Sequence, residues 1–170
     1  MTNEAPSRKR IGTPDWDKLI PGMRGYLVPG PTWPEEWAFY ESNLQIALGF
    51  SDLFWPPFIQ YDGMVFRGSA ENAISAEGAK NIADWMTRFE GKRYEVERML
   101  NHEHLIDLFR ERNRDASASQ IDYLAKVLHD AWAAKLKLDF PQMTFKVDLE
   151  LSEPKEIGDW FITFYQQPPE

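Results

Sequence analysis

The chain has 170 residues, a formal net charge of -8 and no cysteine, and these properties exclude several classes of function. The negative charge argues against direct nucleic-acid binding, because the main attraction to nucleic acid comes from basic residues that neutralise phosphates. The lack of cysteine excludes disulfides, thiolate nucleophiles and cysteine-ligated metals, and it fits a cytoplasmic location.

The N-terminus differs in character from the rest of the chain. Residues 1–17 are polar and predict a disordered tail, whereas residues 18–170 predict a single α+β domain. No apolar segment follows the N-terminal basic residues, and no apolar run approaches the roughly 20 residues that span a membrane. We therefore expect a soluble protein without a membrane partner. Prolines and glycines around Arg24–Val28 predict a brief edge strand.

Three segments have the capping signals and apolar periodicity of long helices. The predicted limits are Thr32 and Gly49 for the first helix, Ser75 and Gly91 for the second, and Ser117 and Pro141 for the third. Residues 51–57 are predicted to form at most one helical turn, because two prolines end this segment.

Two hairpins predict the sheet. Phe58–Tyr61 and Met64–Arg67 flank Asp62-Gly63, a pair that favours the positive φ angles of a type I′ turn. Phe145–Leu151 alternates apolar and charged residues, whereas Trp160–Tyr165 is apolar on both faces and should lie nearer the middle of a sheet. The order of elements predicts three to four helices packed on a mainly antiparallel sheet of about four or five strands.

The helical rhythm breaks between Tyr94 and Phe109. The apolar residues before and after Asn101 lie on helical faces that are out of phase. The simplest cause is a break at which Asn101 caps a second, short helix near residues 102–112.

The polar residues at this break are candidates for chemistry. In a helix, His102 and His104 differ by about 200° around the axis and could not bind one ion together. His104 and Asp107 could meet, because they are three residues apart. The favoured interpretation is that these side chains and Asn101 bond buried backbone groups at a helix junction; a catalytic or metal-binding role is the alternative.

Other signs of an enzyme are lacking. Adjacent carboxylates such as Glu95 and Glu97 are typical of solvated helix surfaces. The sequence has no nucleophile elbow, no P-loop and no Gly-rich dinucleotide fingerprint. We therefore predict no cofactor and favour a non-enzymatic role.

An acidic C-terminal hairpin is the first candidate for a binding surface. Between residues 148 and 159 a single cation, Lys155, accompanies five carboxylates. Such charge also discourages edge-to-edge pairing of strands, which is an equally good structural explanation. A functional cluster would meet the arginines and lysines of a basic protein and act mainly on association rate. The five residues are Asp148, Glu150, Glu153, Glu156 and Asp159.

The aromatic segment 54–58 and the nearby Tyr61 form the second candidate. The favoured interpretation is that the segment plugs the core. If Trp55 or Tyr61 were exposed, either side chain would be a natural anchor for a partner.

Three stretches also carry a resemblance: FWPPFIQYDGMVF at 54–66, VERMLNHEHLIDLF at 96–109, and KLKLDFPQMTFKVDLE continuing to ITFYQQ at 135–167. They resemble a group of small, uncharacterised bacterial proteins, some of which look like immunity proteins of toxin–immunity systems. The resemblance implies a cytoplasmic, non-enzymatic inhibitor that covers a toxin domain, often a nuclease. The acidic charge would complement the basic cleft of such a toxin.

Three functional hypotheses follow. The favoured one is an immunity-type protein that occludes a basic partner without a cofactor. The second is a small metal-assisted hydrolase that uses His102 or His104 with Asp107. The third is a structural or adaptor protein.

Overall fold

The structure, a computed structural model, describes residues 14–23, 34–68, 75–105, 107–109, 117–150 and 160–167. The chain divides into two compact units, Met1–Ala47 and Leu48–Glu170. The predicted edge strand Arg24–Val28 and residues 1–13 of the predicted tail lie outside the described residues. The single domain over 18–170 stays a prediction.

The N-terminal helices differ from the predicted pattern. A helical turn that the sequence did not predict, α1, spans Trp16–Leu19, and α2 spans Pro34–Glu41. A separate helix, α3, spans Leu44–Phe54. The prediction of one helix ending at Gly49 is therefore wrong. Residues 51–54 form the last turn of α3, as the prediction of at most one turn in 51–57 allows.

Local hydrogen bonds explain this difference at both ends of α3. The side-chain oxygen of Asn43 accepts the Ile46 N–H at 3.0 Å, so Asn43 caps the start of a new helix. At the other end, the Trp55 N–H still donates to the Ser51 carbonyl at 2.8 Å. Gly49 therefore lies inside the helix, and the prolines after Trp55 end it.

The first hairpin and the helix after it confirm their predictions. Strands β1 (Phe58–Tyr61) and β2 (Met64–Arg67) pair antiparallel. Asp62 and Gly63 between them have φ angles of 48° and 77°, as a type I′ turn requires. Helix α4 spans Ala76–Arg88, and its cap Ser75 accepts the Gly78 N–H at 3.0 Å.

The C-terminal half forms a second sheet. Helix α5 spans Arg93–Leu100, β3 is Glu103–His104, and α6 spans Ala118–Asp139 behind the predicted capping box at Ser117. Strands β4 (Phe145–Glu150) and β5 (Phe161–Gln166) pair antiparallel. The strand order is β3-β5-β4, so the prediction that the last strand lies in the middle is confirmed.

The α+β class is confirmed, but the predicted numbers of elements are wrong. The described residues form six α-helices rather than three to four, and two antiparallel sheets of two and three strands rather than one. No helix in the described ranges is long and apolar enough to cross a membrane.

The described residues of the second unit form two apolar clusters. The larger lies between α6 and β4–β5, where the buried stripe of α6 packs on Ile162 and Phe164. The smaller lies between the β1–β2 hairpin, α4 and α5, around Met64 and Val96. The α6 stripe consists of Ile121, Ala125, Leu128, Trp132 and Leu136.

Candidate functional site

A buried carboxylate on α5 joins the two sheets. Glu97 accepts the Val65 N–H of β2 and the Gln166 N–H of β5, each at 2.7 Å. The side-chain amide of Gln166 donates to the same carboxylate at 2.7 Å. The interpretation of Glu97 as part of a solvated surface is therefore wrong, because its side chain is fully buried.

The side chain of Asn101 is also hydrogen-bonded to both sheets. Its amide donates to the carbonyls of Val65 at 2.9 Å and Phe164 at 3.2 Å, and its oxygen accepts the Arg67 N–H at 3.0 Å. Asn101 ends α5 as its C-cap residue. The prediction that it caps a second helix is wrong, because its side chain is occupied by backbone groups of the strands.

His102 and His104 lie side by side. The segment is extended, because Glu103–His104 form β3 and the Leu105 N–H donates to the Trp160 carbonyl at 3.0 Å. Residues two apart in an extended segment point to the same face. The two imidazole centroids are therefore 4.8 Å apart, and the prediction that the histidines face opposite ways is wrong.

An aromatic ring and a carboxylate lie next to the histidine pair. His104 lies opposite Phe161 across β3–β5, and Phe161 lies opposite Glu150 across β5–β4. Directly opposed residues share a face of the sheet, so these three form one row. The Phe161 ring is also 4.3 Å from the His102 ring, centroid to centroid.

This cluster is not a ready-made metal site. Within the described ranges, no group of three or more His, Asp or Glu side chains could hold a metal ion. Asp107 is exposed and begins a short 3-10 helix, Asp107–Phe109, where a longer helix was predicted near 102–112. Residues 110–112 of that prediction lie outside the described residues.

The surroundings of His102 lower the pKa of its imidazole, which can be tested. Burial lowers its pKa from the ordinary value of 6.5, and the neighbouring charge of His104 lowers it further. We expect NMR titration of the imidazole to show the His102 pKa below 6.5, and to show it rising in His104→Ala. The His129→Ala variant should leave the His102 pKa unchanged, because His129 is not among the groups that shift it. A His102 pKa at or above the ordinary value would contradict the prediction.

The sign of this shift also determines an effect of pH on stability. A lowered pKa means that the folded state binds fewer protons than the unfolded state. The contribution of His102 to stability is therefore fully present above pH 6.5 and is lost as the pH falls through its folded pKa.

The structure describes two of the five carboxylates of the acidic hairpin. One of them, Asp148, is bonded to other residues of the chain. Asp148 accepts bonds from Lys146 and from the Tyr165 hydroxyl, each at 2.9 Å. Burial raises the pKa of Asp148, but these bonds and the Lys146 charge outweigh burial and leave the pKa below its ordinary value. Glu150 is half-buried. The remaining three candidates lie outside the described residues: Glu153, Glu156 and Asp159.

Trp55 meets the condition for a binding anchor. Its side chain is 47% exposed, so the core-plug interpretation is wrong for this residue, although Phe54 and Phe58 do pack against the larger cluster. The Lys135 ammonium lies 5.7 Å from the indole centroid and supports the exposed ring from one side. Tyr61 is half-buried against the smaller cluster.

Leu48 belongs to the same surface and was not among the predicted candidates. It is 60% exposed and lies seven residues before Trp55 in one continuous helical run. That spacing places Leu48, Asp52 and Trp55 on one face. A spacing of seven residues indicates a shared helical face, but the predicted helix end at Gly49 separated Leu48 from Trp55.

No protein-family model, curated protein or solved structure matches the chain. The resemblance to immunity-type proteins therefore stays a prediction.

Proposed function

We propose that this is a non-enzymatic, immunity-type binding protein that occludes a basic partner such as a bacterial toxin domain. The observation that carries the proposal is the exposed Trp55 indole, with Leu48 beside it on the same helical face. Tryptophan is enriched among the few residues that dominate binding energy, because it can bury a large area in a pocket of the partner.

The charge of the chain supports a basic partner. The net charge of -8 attracts a basic protein during diffusional encounter. Asp52 is exposed on the Trp55 face, where it can meet a lysine or arginine of the partner at the edge of the apolar contact. Apolar anchoring at Trp55 would then set the dissociation rate, and the acidic charge would set the association rate.

The test uses the protein encoded next to this chain, because toxin and immunity genes are expected to be neighbours. We expect the two purified proteins to bind, and Trp55→Ala to weaken binding by about thirtyfold, mainly through faster dissociation, since a hot-spot residue contributes about 2 kcal/mol. Surface plasmon resonance separates the two rates.

Met99→Ala is the matched control, because Met99 is also an exposed apolar residue but lies on α5 rather than on α6, the helix whose Lys135 contacts Trp55. It should leave both rates unchanged. A second variant, with Glu150, Glu153 and Glu156 changed together to Lys, should slow association most at low salt. Binding that is insensitive to Trp55→Ala and to the triple change, or no binding to the neighbouring product, would overturn the proposal.

The contact between His102 and His104 favours a second candidate function, metal-assisted hydrolysis. Two imidazoles on one strand face can share an ion, but the chemistry needs a further ligand, and neither Glu150 nor Asp107 completes a group of three with them in the described residues. Titration of the full chain with Zn²⁺, followed by the imidazole NMR signals, discriminates the candidates. Saturable shifts that vanish in His104→Ala would favour the hydrolase over the binding protein.

A further inference from the structure

The backbone N–H and C=O groups of every second residue of β4 point away from β5. The Gln167 N–H donates to the Thr144 carbonyl at 2.9 Å, so this opposed pair is hydrogen-bonded. Bonded and non-bonded pairs alternate along an antiparallel ladder. The N–H and C=O groups of Phe145, Val147 and Leu149 therefore point away from β5. In the part of the chain that the structure describes, β5 is the only strand beside β4.

On one face of β4, the cation Lys146 is followed by two carboxylates, Asp148 and Glu150. The Lys146 ammonium lies 2.9 Å from the Asp148 carboxylate. The Tyr165 hydroxyl of β5 donates to the other oxygen of Asp148 at 2.9 Å, and the Lys146 ammonium lies 5.9 Å from the centroid of the Tyr165 ring. Tyr165 thus contacts both charged side chains beside the edge of β4 that faces away from β5.

We propose that β4 pairs antiparallel with β4 of a second copy of this chain, centred on Val147. In this register Val147 opposes Val147 of the other copy, and Phe145 opposes Leu149. These are the residues whose backbone groups point outward, so the ladder would contain about six hydrogen bonds. The three-stranded sheets of the two copies would become one continuous sheet.

Charge complementarity favours a second copy of this chain as the partner and favours the register centred on Val147. With Val147 at the centre, Lys146 of each copy opposes Asp148 of the other, and these non-bonded pairs bring side chains closest together. The four charges then alternate around a closed ring. A shift to a centre at Asp148 would place Lys146 opposite Glu150, but it would also place the two Asp148 carboxylates directly opposite each other at the centre, which is unfavourable.

The same argument explains why an edge with a lysine in its middle can still pair. A charged residue on an edge strand normally deters other strands. A second copy presents the matching aspartate at the required position, so the deterrent acts against unrelated strands but not against this chain. The contacts of Lys146 and Asp148 with Tyr165 reduce the ordering cost of the pairing.

The experiment measures the mass of the full chain in solution. We expect sedimentation equilibrium near physiological salt, where repulsion between the two acidic chains is screened beyond about 8 Å, to show a rise from 19.9 kDa toward twice that mass with concentration. Lys146→Asp and Asp148→Lys should each weaken the dimer about tenfold or more, because like charges then oppose each other twice. The double swap should restore it.

Two further variants keep the test decisive if Asp148→Lys fails to fold. Val147→Pro removes an N–H that points away from β5, so it should abolish the dimer while leaving the ladder within the chain. Lys126→Asp, in an exposed ion pair with Asp122 on α6, is the charge-matched control and should leave the dimer unchanged. A monomer at every concentration overturns the proposal, as does a dimer that is insensitive to Lys146→Asp and Val147→Pro.

Discussion

Replacing Glu97 by alanine is expected to lower the free energy of unfolding by about 3–5 kcal/mol. The variant removes the acceptor of the buried Val65 N–H and of the part-buried Gln166 N–H, which each bond the carboxylate at 2.7 Å. An unsatisfied buried donor costs about 1–3 kcal/mol, and the lost side-chain volume adds to this cost. Urea denaturation followed by circular dichroism measures the change.

Two variants separate the hydrogen bonds from other effects. Glu95→Ala, on the same helix, should cost less than about 1 kcal/mol, because Glu95 is only half-buried and lies in the first turn. Glu97→Gln retains the shape but replaces one acceptor oxygen by a donor, so an intermediate loss is expected. A loss for Glu97→Ala no greater than that for Glu95→Ala would show that Glu97 does not join the sheets.

The Glu97 carboxylate also gives stability a defined dependence on pH. Burial raises its pKa above 4.5, because desolvation outweighs the hydrogen bonds from Gln166 and Val65. The folded state therefore binds the proton more tightly than the unfolded state, and stability from this group falls as the pH rises from 4.5 through the folded pKa. The Glu97→Gln variant should lack this decline. The unchanged chain should therefore lose stability relative to the variant as the pH rises.

The hairpins and the longest helix could be predicted because their signals are local. Asp62-Gly63 specifies a turn by its φ preference, and Ser117 with Gln120 specifies a helix start by its own hydrogen bonds. Helix α3 was misjudged because the cap at Asn43 was not recognised and because glycine was taken as a stop. The interior of a helix tolerates one glycine at a cost of about 1 kcal/mol.

The candidate sites could not be predicted because they depend on partners far along the chain. Glu97 bonds residues 32 and 69 positions away, so its own helix cannot reveal that it is buried. Likewise β3 has only two residues and exists through its pairing with β5, which brings His102 and His104 together. A local pattern of helical faces carries no information about that pairing.

Replacing Trp132 by alanine is expected to lower the free energy of unfolding by about 3–5 kcal/mol and to disturb the Trp55 surface as well. The Trp132 side chain is fully buried and packs edge to face on Phe164, with the ring centroids 6.3 Å apart. Its indole N–H donates to the Leu53 carbonyl at 3.0 Å, two residues before Trp55. The variant therefore removes core volume and the bond that positions the end of α3.

Trp132→Phe distinguishes these two roles. Phenylalanine keeps much of the buried ring but cannot donate to Leu53, so a smaller loss of about 1–3 kcal/mol is expected. If the bond positions α3, acrylamide quenching of the Trp55 fluorescence should change in Trp132→Phe, even though the core remains filled. Comparison with Trp55→Phe assigns the fluorescence signal to Trp55. Unchanged quenching with the same loss of stability would show that Trp132 supports the core alone. A change would connect the core of the second unit to the side chain on which the proposed binding function depends.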